Sequence, residues 1–260
     1  MPVVTGVLED LAEATASLIA DTRGITDEQA REPSGLPGWT RGHVLTHLAR
    51  NAEGATRLLS WARTGVPSQQ YPSAEDRAAA IEAGAGRPAA ALVTDLRATA
   101  AVFTQAAALM PAESWDRRVT WLSGGQTPAA MVPHARLREV LIHHADLKLG
   151  FGPAGWPAAW AGEMLDFVVR ALADQGLAPL NARLRAADTG RSFRLSRGPS
   201  GGAGSSGGAG SPGGAAASGA AEITGTEADL LAWLLGRSDG AGLARDIPGP
   251  LPAVPTVSFT

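Results

Sequence analysis

Residues 136–147 read Arg136-Leu137-Arg138-Glu139-Val140-Leu141-Ile142-His143-His144-Ala145-Asp146-Leu147. Glu139 and His143 are four apart, so on an α-helix they lie about 40° apart on one face. A carboxylate and an imidazole placed in that way can grip one metal ion. His144 is five residues from Glu139, about 140° round the helix, and is the poorer partner. The stretch belongs to a long helical pattern from about Thr127 to Leu149, interrupted or bent near Pro133.

Working outward, three more long amphipathic segments precede it. Residues 2–22 place Val4, Val7, Leu8, Leu11, Ala14, Leu18 and Ile19 three and four apart. Pro37 and Gly38 mark a loop, Thr40 is a helix N-cap, and a long helix follows to Arg63. Ser73 caps a further helix, with Asp76 at its third position. That pattern weakens at Gly84 and Gly86, restarts at Pro88, a favoured first helical residue, and runs to Met110 before Pro111. Val119 and Trp121 alternate with polar residues, as in a short strand. Four long segments within residues 1–150 predict a four-helix bundle.

The remainder, 151–260, reads as a smaller α+β domain. Residues 157–176 are helical in pattern. Residues 181–187 and 191–196 flank Asp188-Thr189-Gly190 as a hairpin. Ala221 to Thr224 is another strand, and Thr226 caps a short helix to Leu235. Residues 198–219 hold only Gly, Ser, Ala and Pro, ten of these 22 being Gly. Such a tract cannot bury a core and predicts a flexible loop. Its matches to GxSxG and GxGxxG lack the strand–turn–helix and βαβ contexts those motifs need.

Composition narrows the chemistry. A net charge of −3 argues against a general nucleic-acid binder. No apolar run approaches the roughly 18 residues of a membrane span. Cysteine is absent, so disulfides, thiolate metal sites and a cysteine nucleophile are excluded. Any thiol chemistry must use sulfur brought by a small molecule. The first basic side chain, Arg23, follows four acidic ones, so the N-terminus reads as a helix and not a secretory signal, and the cytoplasm is the expected compartment.

The five histidines fall on two of the long segments: His43 and His47 on the second, His134, His143 and His144 on the fourth. His43 and His47 are four apart and share a face. If both helices face the bundle centre, one or both of these histidines meet Glu139 and His143. A three-ligand zinc site keeps a fourth position open for water or substrate. The plainer alternatives are a surface or capping pair of histidines, and an intrahelical Glu–His ion pair worth a few tenths of a kcal/mol. Spacing does not choose between His43 and His47.

The segment from Leu36-Pro37-Gly38-Trp39-Thr40-Arg41-Gly42-His43 into His47-Leu48-Ala49-Arg50-Asn51 resembles the N-terminal domain of mycothiol-dependent maleylpyruvate isomerases, a branch of the DinB-like metal-binding bundles. The Arg138-Glu139-Val140 run before His143, followed by Asp146-Leu147, is similar to that family's second signature. Tyr71-Pro72-Ser73-Ala74-Glu75-Asp76-Arg77 resembles the stretch that supplies its functional arginine. Residues 225–237, around Trp233, resemble its sterol-carrier-like second domain. The resemblance implies a DinB-like four-helix bundle followed by a smaller α+β domain. It implies His47, Glu139 and His143 as ligands of a divalent metal, zinc by family expectation, and Arg77 as the catalytic arginine. It further implies mycothiol, the actinobacterial cysteine-bearing sugar conjugate, as thiol cosubstrate beside a small-molecule substrate; charge and hydropathy point to no nucleic-acid or membrane partner, and the sequence leaves the oligomeric state open, a monomer being compatible with it.

On this reading the thiolate adds to the cis double bond of maleylpyruvate, the adduct rotates, and elimination gives fumarylpyruvate. Arg77 meets the enolate charge or a substrate carboxylate. Asp146, three after His143, is placed to orient that imidazole. Trp39 is expected to pack at the helix entry, Trp233 in the core, and His43 and His134 in ordinary hydrogen-bonded roles or at the pocket wall. Two other readings use the same fold: a mycothiol S-transferase acting on another electrophile, and a non-enzymatic binding module.

Overall fold

The structure, a computed structural model, describes residues 2–196 and 221–255. The Gly/Ser/Ala/Pro tract at 198–219 lies outside the described residues. Contacts divide the chain into two compact units, Met1–Gly152 and Pro153–Phe259.

The first unit is built from α1 (Pro2–Asp21), α2 (Asp27–Arg31), α3 (Arg41–Thr64), α4 (Ala74–Ala85), α5 (Ala89–Ala108), a two-stranded ribbon of β1 (Arg118–Thr120) and β2 (Gln126–Pro128), and α6 (Met131–Asp146). The central helix is α3, packed on α4, α5 and α6, while α1 lies on α5 and α6. Leu45, Leu48, Leu58 and Leu59 of α3 are fully buried, as are Leu18 of α1 and Leu92 and Leu96 of α5. Thr40 caps α3 as expected: its hydroxyl accepts from the His43 N–H, and the His43 ring returns to the Thr40 N–H. His43 thus stands where a Glu or Gln closes the usual capping box. Gly65, at φ +78°, ends the helix in the left-handed conformation that glycine adopts without a Cβ penalty.

Several boundaries differ from the sequence expectation, each for a local reason. The fourth long helix begins at Met131 and not near Thr127, because residues 126–128 are taken by β2, pairing Val119 with Thr127. Pro133 consequently falls in the first turn of α6, where its missing N–H has no intrahelical acceptor to lose, and the helix runs through it unbroken. The same helix ends at Asp146, short of Leu149; Lys148 beyond it has φ +51°. Pro88 is the cap residue of α5 and not its first helical residue, and α5 stops at Ala108 before reaching Met110. The short α2, with a Thr26–Gln29 capping box, carries too few residues to show a period and was not anticipated.

The second unit contains α7 (Ala158–Asp174), β3 (Ala182–Ala186), β4 (Ser192–Leu195), β5 (Ala221–Gly225), α8 (Glu227–Leu234) and β6 (Ala244–Arg245). Its sheet has the order β4-β3-β5-β6. β3 pairs antiparallel with β4 across the expected hairpin and parallel with β5, so Leu184 faces Phe193 on one side and Ile223 on the other. Ala182, Leu184 and Ala186 alternate inward while Arg183 and Arg185 point out, the period of a half-buried strand. Helices α7 and α8 pack on each other and on this sheet. Trp233 is core, as expected, and its indole N–H donates to the Pro252 carbonyl at 3.2 Å. No helix among the described residues is long and apolar enough to cross a membrane.

The α3–α4 contact positions the site, because α4 carries Arg77, and it rests on two glycines. A Cβ on Gly42 would fall 2.2 Å from the Ala85 carbonyl oxygen, and one on Gly84 2.5 Å from Thr46 Cγ2. Gly42→Ala is therefore expected to cost about 1–3 kcal/mol in urea denaturation, since the opposing atom is backbone and cannot rotate away. Gly6→Ala in α1, where a new Cβ meets nothing within 4 Å, should stabilise by about 0.5–1 kcal/mol.

Candidate metal centre

His47, on the buried face of α3, and Glu139 and His143, one turn apart on α6, converge. One ligand-capable atom from each lies within 4.8 Å of the others. His47 Nε2 is 2.7 Å from Glu139 Oε2, and His143 Nε2 is 3.4 Å from the same oxygen. The two imidazoles meet edge to face at 4.7 Å between centroids. Two imidazole nitrogens and a carboxylate oxygen form a donor set that suits zinc or non-haem iron. His47 is buried, while Glu139 and His143 keep partial exposure, leaving the centre a way in.

Each ligand candidate has a second partner. Asp146 Oδ2 lies 2.8 Å from His143 Nδ1 and accepts its proton in a hydrogen bond, which leaves the Nε2 lone pair aimed at the centre. Arg77 Nη2 is 3.2 Å from His47 Nδ1. A guanidinium only donates, so Nδ1 accepts, and the proton of neutral His47 sits on Nε2 and is given to Glu139.

The electrostatics follow from burial and these bonds. Burial pushes the His47 pKa down to about 4, against the hydrogen bond it gives to Glu139. Burial alone would raise Glu139; hydrogen bonds from His143, when its ring is protonated, and from His47 override it and hold the carboxyl well below its usual range. Burial would likewise lower His143, but hydrogen bonds to Asp146 and Glu139 raise it. At neutral pH His47 is unprotonated and Glu139 is ionised, the states a metal requires.

The other histidines fall elsewhere. His43 faces the same side of α3 but is spent on the Thr40 cap, and its Nε2 lies 3.1 Å from Glu82. His144 is fully buried against the α1 end, 2.9 Å from Asp21 Oδ2 and stacked on Phe151 at 3.9 Å. His134, in the first turn of α6, is outside the group of three. Trp39 stacks on His43 at 6.0 Å and meets His47 edge-on at 5.7 Å, so it walls the centre as well as packing the helix entry.

Two neighbours escaped the sequence reading. Tyr71 is buried, with the Arg57 and Arg77 guanidinium carbons 5.8 and 5.7 Å from its ring centroid. Arg136, three before Glu139, is 2% exposed and donates through Nη1 to the Leu48 carbonyl at 2.9 Å and Asn51 Oδ1 at 2.8 Å. Its spacing to Glu139 was the available signal, but an arginine on an amphipathic helix normally reads as solvated.

Together the fold and the site define a two-unit protein whose helical bundle presents a His–Glu–His centre backed by an arginine. Residues 11–148, more than half of the chain, match the family model of the mycothiol maleylpyruvate isomerase N-terminal domain, and the chain belongs to this family. The fold is similar to that in a crystal structure of the mycothiol-dependent maleylpyruvate isomerase, with a TM-score of 0.84, 22% identity and coverage of 97% of this chain and 96% of that one. A histidine-to-alanine mutant of the same enzyme matches with a TM-score of 0.83 at the same identity and coverage. No curated protein matches the chain.

Metal affinity should fall on acidification in a set order. His143, with its raised pKa, takes up a proton before His47, which resists until about pH 4. Zinc affinity measured against a competing chelator should therefore drop roughly tenfold per pH unit once pH passes below the His143 pKa. A flat profile between pH 7.5 and 5.5 would count against binding through His143.

Proposed function

We propose that this chain is a mycothiol-dependent, metal-activated cis–trans isomerase that converts maleylpyruvate to fumarylpyruvate. The observation that carries this reading is the convergence of His47, Glu139 and His143 on one point with Arg77 against it. His47, Glu139 and His143 would hold a divalent ion, zinc in this reading, which when bound would supply the Lewis acidity that keeps the cosubstrate thiol as thiolate at neutral pH. The absence of cysteine from the chain fits a nucleophile that arrives with the cosubstrate. We place the protein in the cytoplasm, acting on two small molecules.

The protein's own residues have separable tasks. Glu139 contributes the negative charge that balances the cation. Asp146 holds the His143 ring by its Nδ1–H and fixes which nitrogen faces the centre. For His47 Nε2 to ligate, the proton now on it must leave. Moving that proton to Nδ1 turns the atom from acceptor to donor and breaks its bond with Arg77. Arg77 is thereby freed to hold a substrate carboxylate and to meet the enolate charge that develops when thiolate adds to the double bond. The adduct carries a single bond where the cis double bond was. It rotates, and elimination returns the thiolate unchanged.

The test is incubation of zinc-loaded protein with mycothiol and maleylpyruvate, following both product geometry and free thiol. Isomerisation with full thiol recovery supports the reading; stoichiometric thiol loss would make the protein an S-transferase. Glu139→Ala should remove bound metal and turnover together. Arg77→Lys keeps charge but not the planar fork. It should retain metal and fold while losing about tenfold in kcat, roughly 1.4 kcal/mol of transition-state stabilisation. Undiminished turnover would reduce Arg77 to a diffuse positive charge.

A further inference from the structure

Two buried donors beside the metal centre have no acceptor. Arg136 is 2% exposed; Nη1 makes both of its hydrogen bonds, and Nη2 makes none. Among the described residues it forms no ion pair with a carboxylate. Tyr71 is 6% exposed; the Arg77 guanidinium stands beside its hydroxyl as a donor, and the O–H finds no acceptor. Glu139 lies near enough to act on Arg136 but takes no hydrogen bond from it, and two buried donors left without an acceptor in one place point to an absent anion.

The two groups reach the same face of α3. Arg136 binds the Leu48 carbonyl and Asn51. The Tyr71 ring tip lies against Gly54, where an added Cβ would come 3.1 Å from Tyr71 Cζ. His47, Asn51 and Gly54 are spaced four and three apart, so they form one stripe, about 10 Å long at 1.5 Å per residue, that starts at the metal-ligand candidate. Arg136 acts electrostatically on both Tyr71 and Glu139. Burial raises the Tyr71 pKa despite the pull of Arg77, so the phenol stays protonated and donates.

We propose that Arg136 Nη2 and Tyr71 Oη form a subsite for one carboxylate of a dicarboxylate substrate, next to the metal centre. Arg77, on the metal side of the Tyr71 ring, is left for the other carboxylate or for the reacting enolate. The subsite discriminates dianionic from monoanionic electrophiles, because only the former fills both positions. Gly54 belongs to it as the position that lets the phenol lie against α3.

This inference rests on the isomerase reading, and the test separates the two. Zinc-loaded wild type and Tyr71→Phe are compared on maleylpyruvate and on each of its two monomethyl esters, with mycothiol saturating. The variant should raise KM for the diacid about tenfold with kcat little changed. For one of the two esters, the one lacking the recognised carboxylate, variant and wild type should have equal KM. Arg136→Lys, which retains charge but loses Nη2, should show the same pattern. An equal loss on all three substrates means a structural role, and no loss on any means that the pair holds only water; either overturns the subsite. If wild type shows no turnover at all, the isomerase reading fails. Calorimetric titration of maleate, a simple cis-dicarboxylate, into both zinc-loaded proteins then decides the subsite alone. About tenfold weaker binding by Tyr71→Phe supports it, and equal binding overturns it.

Discussion

The 2.7 Å contact between His47 Nε2 and Glu139 Oε2 joins two helices across 92 residues of sequence, and the site depends on the bundle geometry that makes it possible. Neither group would be buried there alone. An isolated carboxylate at this position would be driven to protonate, and an isolated imidazole has no reason to point inward. Together, with His143 completing the set, they stabilise an ionised carboxylate beside two imidazoles. The core leucines of α3 hold the helix in place, and Arg136 ties it to α6 beside the contact, through the carbonyl of the residue after His47.

Around that contact most charges are arranged in pairs. Asp146 answers His143, Glu82 answers His43, and Asp21 answers His144. Arg50 and Arg87 share Asp95, which ties α3 and the start of α5 together. Arg136 and Arg77 have only neutral acceptors. Burial lowers the Arg136 pKa to about 10, which still leaves it a cation at neutral pH. That imbalance distinguishes a structural polar network, which closes on itself, from a site that leaves donors for a ligand.

The second unit carries its own polar centre of a different kind. Glu227, 4% exposed at the start of α8, accepts from Thr189 at 2.8 Å and from Arg191 at 3.0 Å. This network joins the hairpin turn to the helix, and its bonds are satisfied within the unit. Gly162 of α7 leaves the room it needs, since a Cβ there would fall 2.3 Å from Glu227 Oε2. The contrast with the first unit is chemical: here the acid is matched by a cation and a hydroxyl, so nothing in the arrangement asks for an outside group.

The sequence by itself determined the long helices of the bundle, the hairpin of the second unit, and the pairing of Glu139 with His143. These follow from periods of 3.6 and 2, from caps such as Thr40, Ser73 and Thr226, and from a four-residue spacing on one helix, all of which are local. It could not choose between His43 and His47 from spacing, since both occupy one face. Tertiary structure decided that, because Glu82 of α4 and the Thr40 cap engage His43, while α6 brings Glu139 to His47. Nor could the sequence place the start of α6, where pairing with β1 drew residues 126–128 into a strand. Tyr71 and Arg136 likewise gained their meaning only in the folded chain. Whether an arginine on a helix is solvated or buried depends on what packs over it, and that is set by contacts between residues far apart in the sequence.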